Sequence, residues 1–193
     1  LFYTFKAGGI EFIVLNGLDV SRFAPPGSKR YAQYEEYKIE HPWRKLREWD
    51  GMLSAESRRW LRARLEQAQK ENENVILISH VPLLNDDTNA YMWDRAEILD
   101  ILDEYPNVKA FFAGHYHPGG LQQRKGVLHK TVKAICNCTE PTACICHVYE
   151  DRIELEGFGE ESDSEMFYEW KPVRLSGRAL PGSWIVCATG ELV

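Results

Sequence analysis

Two stretches decide how this chain folds: Val75-Ile-Leu-Ile-Ser79-His80-Val81-Pro82 and Val108-Lys-Ala-Phe-Phe-Ala113-Gly114-His115-Tyr116-His117-Pro-Gly-Gly120. In each, an apolar run without polar alternation predicts a strand covered on both faces. In each, histidine stands just past the end of that run. Between them, Asp94 and Glu97 have the spacing of a capping box. Ile98, Ile101, Leu102 and Tyr105 then make one helical stripe that stops before Pro106. Strand, helix, strand in this order is the alternation of an α/β domain.

Working toward the N-terminus, residues 54–72 read as the clearest helix. Ser54 stands at its cap, Glu56 lies in the first turn, and Leu53, Trp60, Leu61, Leu65 and Ala68 form the stripe. Residues 29–40, with Tyr31, Tyr34 and Tyr37 three apart, predict a surface helix that ends before Pro42, with His41 beside the stop. Residues 2–6 and 10–15 flank Gly8-Gly9 and predict a hairpin or two adjacent strands. Toward the C-terminus, strands are expected at 127–135, 143–149 and 152–158, with Glu150-Asp151 as the turn between the last two. Strand and helix alternate first and antiparallel strands follow, so the fold class is α/β with a mixed sheet or a two-sheet sandwich. From 160 onward periodicity fades, and residues 176–193 carry none.

The chain has 193 residues and a formal charge of −6. The acidity is local, because residues 150–169 hold nine Asp and Glu against Arg152 alone. That stretch is expected to be a solvated strand end and tail. The remainder is near neutral and offers no basic face to a nucleic-acid backbone, so no nucleic-acid partner is expected. No apolar run approaches the roughly 18 residues of a membrane span, so no membrane partner is expected either. No signal peptide is visible, and the five cysteines read as reduced thiols of a cytoplasmic protein. The chain opens on Leu1 rather than Met, which is read as the loss or absence of an upstream part.

His80, His115 and His117 are the candidate metal ligands. All three lie past the C-terminal ends of buried strands, the edge where α/β sheets gather ligands. Imidazole is the commonest protein ligand for transition metals. Two histidines with one residue between them can reach two ions about 3.5–4 Å apart, the separation in two-metal hydrolases. With six histidines in the chain, His-x-His alone carries little weight; its position after a buried strand carries more. Trp93 and Tyr91, just before the capped helix, could stack on a nucleobase or simply pack in the core. Cys136, Cys138, Cys144 and Cys146 form two Cys-x-Cys pairs. They could converge on a structural zinc ion or remain ordinary half-buried thiols.

The runs ending in Ser79-His80-Val-Pro-Leu83 and Phe112-Ala-Gly-His115-Tyr-His117 resemble the last two motifs of the calcineurin-like metallophosphoesterases. Gly9-Ile-Glu-Phe-Ile-Val-Leu15, Leu53-Ser-Ala-Glu56 with Trp60-Leu61, and Gly114 through Gly120 resemble the manganese-dependent ADP-ribose/CDP-alcohol diphosphatase branch. The resemblance covers residues 1–159, with 160–193 left as an acidic and then irregular tail. It implies the C-terminal part of a four-layer α/β/β/α sandwich with mixed sheets. It also implies two divalent metal ions, manganese first with iron or zinc as alternatives, and a small nucleotide-type phosphoester substrate. In that family a metal-bridging hydroxide attacks phosphorus. His80 and His115 would hold one ion and His117 the other; Trp93 remains a candidate substrate contact on its own position before the capped helix, with core packing the more common use of a tryptophan. Asn16-Gly17 and Leu121 depart from the branch pattern.

The family's earlier motifs, Asp-x-His, Gly-Asp-x-x-Asp and Gly-Asn-His-Asp/Glu, are absent from this chain. They supply the bridging carboxylate, and two dications without one would repel each other. The expectation is a phosphohydrolase whose catalytic carboxylates lie about 100 residues' worth of strand–helix units upstream, with this chain alone inactive. The competing expectations are a non-catalytic fragment or partner-binding module, and a zinc-stabilised module resting on the cysteines.

Overall fold

The computed structural model describes residues 2–44, 46–85, 89–149 and 151–167, together with the strand 183–186. Cys187, Glu150 of the expected turn, and the parts of the tail at 168–182 and 187–193 lie outside the described residues.

The first sheet has six strands in the order β1-β2-β3-β4-β6-β5. β1 (Tyr3–Ala7) and β2 (Ile10–Leu15) form the antiparallel hairpin expected around Gly8-Gly9, both of which take positive φ. β2, β3 (Asn74–Ser79), β4 (Val108–Ala113) and β6 (Val127–Thr131) are parallel neighbours. β5 (Gly120–Arg124) closes the far edge as the antiparallel partner of β6. The β5–β6 hairpin turns at Lys125-Gly126, both at positive φ. β5 has no apolar run to announce it, being Gly-Leu-Gln-Gln-Arg with exposed and half-buried residues alternating. β6 is shorter than the expected 127–135; the chain turns away after Thr131, and Ile135–Asn137 is one turn of 3-10 helix.

Among the described residues the α-helices are α1 (Lys29–Glu40), α2 (Ala55–Lys70) and α3 (Arg95–Asp103). Ser28 and Ser54 cap α1 and α2, accepting from the amides of Tyr31 and Ser57. Such caps satisfy amides that the first turn leaves unpaired. The capping box at Asp94 is a correction: its side chain makes no cap hydrogen bond. Instead Asp94 Oδ2 accepts from the Leu53 amide at 3.2 Å and from Arg58 Nη1 at 2.8 Å. It ties the entrance of α2 to the entrance of α3, a long-range contact that sequence spacing could not reveal.

Two cores sandwich the first sheet. Leu61, Leu65 and Ala68 of α2 and Ile98, Leu99, Ile101 and Leu102 of α3 pack on one face, against Ile13, Leu77 and Phe111. The other face, with Phe12, Ile76, Ala110 and Phe112, packs on Cys146, Val148, Ile153, Leu155 and Met166 of a second, antiparallel sheet. Its order is β10-β7-β8-β9, comprising β7 (Ala143–Val148), β8 (Arg152–Phe158), β9 (Ser164–Phe167) and β10 (Ser183–Val186). The described residues therefore form three layers: helices, mixed sheet, antiparallel sheet. β3 and β4 are buried on both faces because each face meets one of these cores, which is why their sequences do not alternate.

The acidic stretch is not all solvated. Glu161 is buried, makes an ion pair with Lys130 of β6, and accepts from the Lys133 amide at 2.8 Å. β9 lies in the stretch expected as tail and pairs with β8. Among the described residues no helix is long and apolar enough to cross a membrane.

Candidate metal centre

Parallel register brings the sequence-distant histidines to one edge. Leu15 pairs with Ser79, Ile78 with Phe112, and Ala113 with Thr131, so β2, β3 and β4 end side by side. The Gly114 amide donates to the His80 carbonyl at 3.0 Å and fastens the two strand ends. A Cβ at Gly114 would lie 3.6 Å from His80 Nδ1, ordinary contact, so the site does not require glycine there for space.

His80 and His115 come together, with Nε2 of His80 3.2 Å from Nδ1 of His115 and the two rings edge-on at 81°. Nitrogens bonded at about 2.0–2.1 Å to one ion with an ordinary bond angle stand about 3 Å apart. The observed spacing therefore suits two imidazoles that share one ion. His115 has φ +67°, the left-handed region, which for a residue with a Cβ costs about 1–2 kcal/mol. The chain leaves it by a tight reversal, with the Tyr116 amide donating to the Gly114 carbonyl at 2.7 Å.

His117 is exposed and stands apart from that pair. Its Nδ1 lies 4.0 Å from Cys136 Sγ, and its carbonyl accepts from the Ala134 amide at 3.1 Å. Among the described residues no three His, Cys, Asp or Glu side chains stand together in a way that could hold a metal ion. The described residues thus fit part of a metal site, two converging imidazoles with a third nearby in sequence, with no carboxylate among them placed as a ligand.

Among the described residues, Asp19 and Asp50 lie near this edge, and each is already engaged. Asp19, past the end of β2, is buried and accepts from the Ser54 amide at 3.1 Å and from Ser57 Oγ at 2.6 Å, and it pairs with Arg30. Burial opposes its ionisation, but these hydrogen bonds and Arg30 together hold the carboxyl below its ordinary range. Asp50, which the sequence reading did not single out, accepts from His115 Nε2 at 2.7 Å, on the opposite side of that ring from His80. Its only sequence signal is its place beside Gly51 before the α2 cap.

Trp93 is buried, 6% exposed, with its ring stacked on Tyr37 at 5.2 Å and on Tyr34 at 6.1 Å. Tyr91 is half-buried, with the Arg95 guanidinium 3.6 Å above its ring. The packing role weighed for Trp93 is the one these contacts describe; a base stacking there would have to displace a tyrosine. The cysteines divide between two places. Cys144 and Cys146 are buried in β7, where burial pushes the Cys146 thiol up to about 12, while Cys136 is exposed and Cys138 half-buried in the turn at 135–138. No four-sulfur cluster forms among the described residues.

No family model matches the chain. Among curated proteins, the manganese-dependent ADP-ribose/CDP-alcohol diphosphatase of Oryza sativa subsp. japonica is 37% identical over 125 residues, covering 62% of this chain and 39% of that protein. The Homo sapiens protein of the same description is 28% identical over 177 residues, covering 82% of this chain and 52% of that protein. The chain therefore spans between 39% and 52% of the length of these relatives. Among solved structures, a dimetal phosphatase from Danio rerio superposes with a TM-score of 0.79 at 24% identity, over 87% of this chain and 60% of that one. The fold is shared with that protein: a mixed α/β sandwich.

Proposed function

We propose that this chain carries the C-terminal part of a metal-dependent phosphohydrolase that cleaves phosphodiester or pyrophosphate bonds in small nucleotide-type substrates of the ADP-ribose/CDP-alcohol kind. The observation that carries this reading is the meeting of His80 and His115, from the ends of two parallel strands, with ring nitrogens 3.2 Å apart. The likeness to the manganese-dependent diphosphatases supports it.

In this reading His80 and His115 hold one divalent cation and His117 helps hold a second, with manganese the preferred ion. When bound, such cations lower the pKa of water and neutralise charge building on phosphoryl oxygens. The chain's own residues contribute position. The buried ends of β3 and β4 fix both imidazoles at one edge, and the reversal at Gly114–Tyr116 aims His115 toward His80. Asp19 and Asp50 are already engaged, so the bridging carboxylate is assigned to a longer chain that includes the upstream motifs.

The test is manganese-dependent hydrolysis of ADP-ribose and CDP-choline by the protein as its own cell makes it, beside the 193-residue chain alone. The expected result is a cell-made protein longer than this chain, active with manganese, and reduced at least about 100-fold by His80→Ala or His117→Ala. A longer protein that hydrolyses neither substrate with manganese overturns the reading. A second reading, a non-catalytic fragment, is favoured by the absence of any three-donor cluster among the described residues. It predicts that the cell-made protein is this chain and is inactive.

A further inference from the structure

We infer that Asp50 is a positioning residue for His115: it holds the imidazole as the tautomer protonated on Nε2 and thereby keeps the Nδ1 lone pair facing His80. The pair is well buried, the side chains of His115 and Asp50 being 6% and 1% exposed, with Nε2 and Oδ1 2.7 Å apart. A buried carboxylate is costly unless a donor meets it. Oδ2 of Asp50 has no hydrogen-bond partner among the described residues, so the imidazole N–H carries that duty at Oδ1. Meeting it requires the proton to reside on Nε2, which leaves Nδ1 as the unprotonated nitrogen.

The loop that delivers Asp50 is itself pinned. Met52 and Val20 exchange backbone hydrogen bonds at 3.0 and 3.1 Å, and the Trp93 amide donates to the Gly51 carbonyl at 2.9 Å. A Cβ on Gly51 would stand 2.7 Å from the Gly17 carbonyl oxygen, so the approach depends on glycine. The loop after β2 and the segment before α3 thus pin the residues that follow Asp50 in the segment before α2. The ring Asp50 meets is on a residue held at φ +67°, where only surrounding contacts keep a histidine.

A carboxylate on the far nitrogen of a ligating imidazole sets the ring's tautomer and orientation and raises its basicity. The use of the lone pair as a metal ligand rests on the proposed function; the tautomer does not. The test therefore has two readouts on the full chain. The first is the long-range proton–nitrogen NMR spectrum of the imidazoles, recorded well above the ordinary histidine pKa and assigned with His115→Gln. The expected result is one His115 tautomer, pyrrole-like at Nε2 and pyridine-like at Nδ1, giving way to a mixture in Asp50→Ala. A wild-type His115 that is an exchanging mixture, or protonated on Nδ1, overturns the inference, and so does a single unchanged tautomer in folded Asp50→Ala. If Asp50→Ala does not fold, the wild-type spectrum and the near-isosteric Asp50→Leu, which offers the ring no acceptor, decide on the same terms.

The second readout is manganese affinity of the longer, cell-made protein that carries the bridging carboxylate, expected to weaken about 10–100-fold in Asp50→Ala. An affinity equal to wild type overturns the positioning role while leaving the phosphohydrolase reading intact. A wild-type protein that shows the fixed tautomer but binds no manganese overturns that reading and leaves the Asp50–His115 inference standing.

Discussion

Replacing His129 with phenylalanine should make the fold less sensitive to acid. His129 lies at the centre of β6, 4% exposed, with its ring 5.8 Å from that of Phe111 and, among the described residues, no hydrogen-bond partner at Nδ1. Burial chiefly, with Arg124 adding to it and Asp103 opposing, pulls its pKa from 6.5 down to about 4. The folded state thus binds the proton more weakly than the unfolded chain does. Above the unfolded value both states are neutral and the full stability is present. As pH falls the unfolded chain takes up the proton first, so stability is lost, and the loss is complete near the folded value. At 1.36 kcal/mol per pH unit the whole gap amounts to about 3 kcal/mol, of which about 2 is spent by roughly pH 5. Phenylalanine cannot take up that proton. Urea unfolding of both proteins at about pH 7.5 and about pH 5 separates this effect from any packing change, which is the same at both values. The wild-type protein should lose about 2 kcal/mol more than His129→Phe between them. Equal losses would refute the claim that His129 is held neutral by burial.

Asp94 should act with the opposite sign. Burial outweighs Arg58 and raises its carboxyl from 3.8 to about 6, so its stabilising contribution is full below the unfolded value and falls by about 3 kcal/mol as pH rises through 6. Asp94→Asn should flatten that decline in urea unfolding compared at about pH 4 and about pH 7; an unchanged slope would mean Arg58 keeps the carboxylate ionised. Gly51→Ala forces backbone to move, since the new Cβ would sit 2.7 Å from the Gly17 carbonyl oxygen and 3.0 Å from Leu18 Cα. A loss of about 1–3 kcal/mol is expected, read as a lower thermal midpoint, and an unchanged midpoint would show the loop to be looser than its contacts. Ser54→Ala removes the cap of α2 and should cost about 1 kcal/mol by urea unfolding; no change would mean that the Asp19 contacts alone hold that helix entrance.

The elements legible in the sequence were those whose local pattern and tertiary role agree. The apolar runs of β3 and β4, the Ser54 cap of α2 and the Gly8-Gly9 hairpin each carry their own signal. β5 escaped because an edge strand buries little and needs no apolar run, and Gly-Leu-Gln-Gln-Arg reads as loop. β9 escaped because Met166 alone reaches the second core from it. Asp94 was misread because three-residue spacing to Glu97 is also the spacing of chance, and its real partners are Arg58 and the Leu53 amide, 36 and 41 residues away.

For the site, the sequence by itself determined that His80, His115 and His117 stand at strand ends, because uninterrupted apolar runs stop directly before them. It also determined that two cores would cover those strands, since neither run alternates. Only the tertiary structure decided that His80 and His115 meet while His117 stands apart. It also decided that Asp19 is spent on the α2 entrance, and that Asp50 rather than any residue near the motifs holds the far side of His115. Strand identity is written in local hydrophobic pattern, which residues a few positions apart can express. Which carboxylate faces which imidazole depends on parallel register, a glycine-tight loop and a left-handed φ acting together across 65 residues of chain, and no local pattern encodes that.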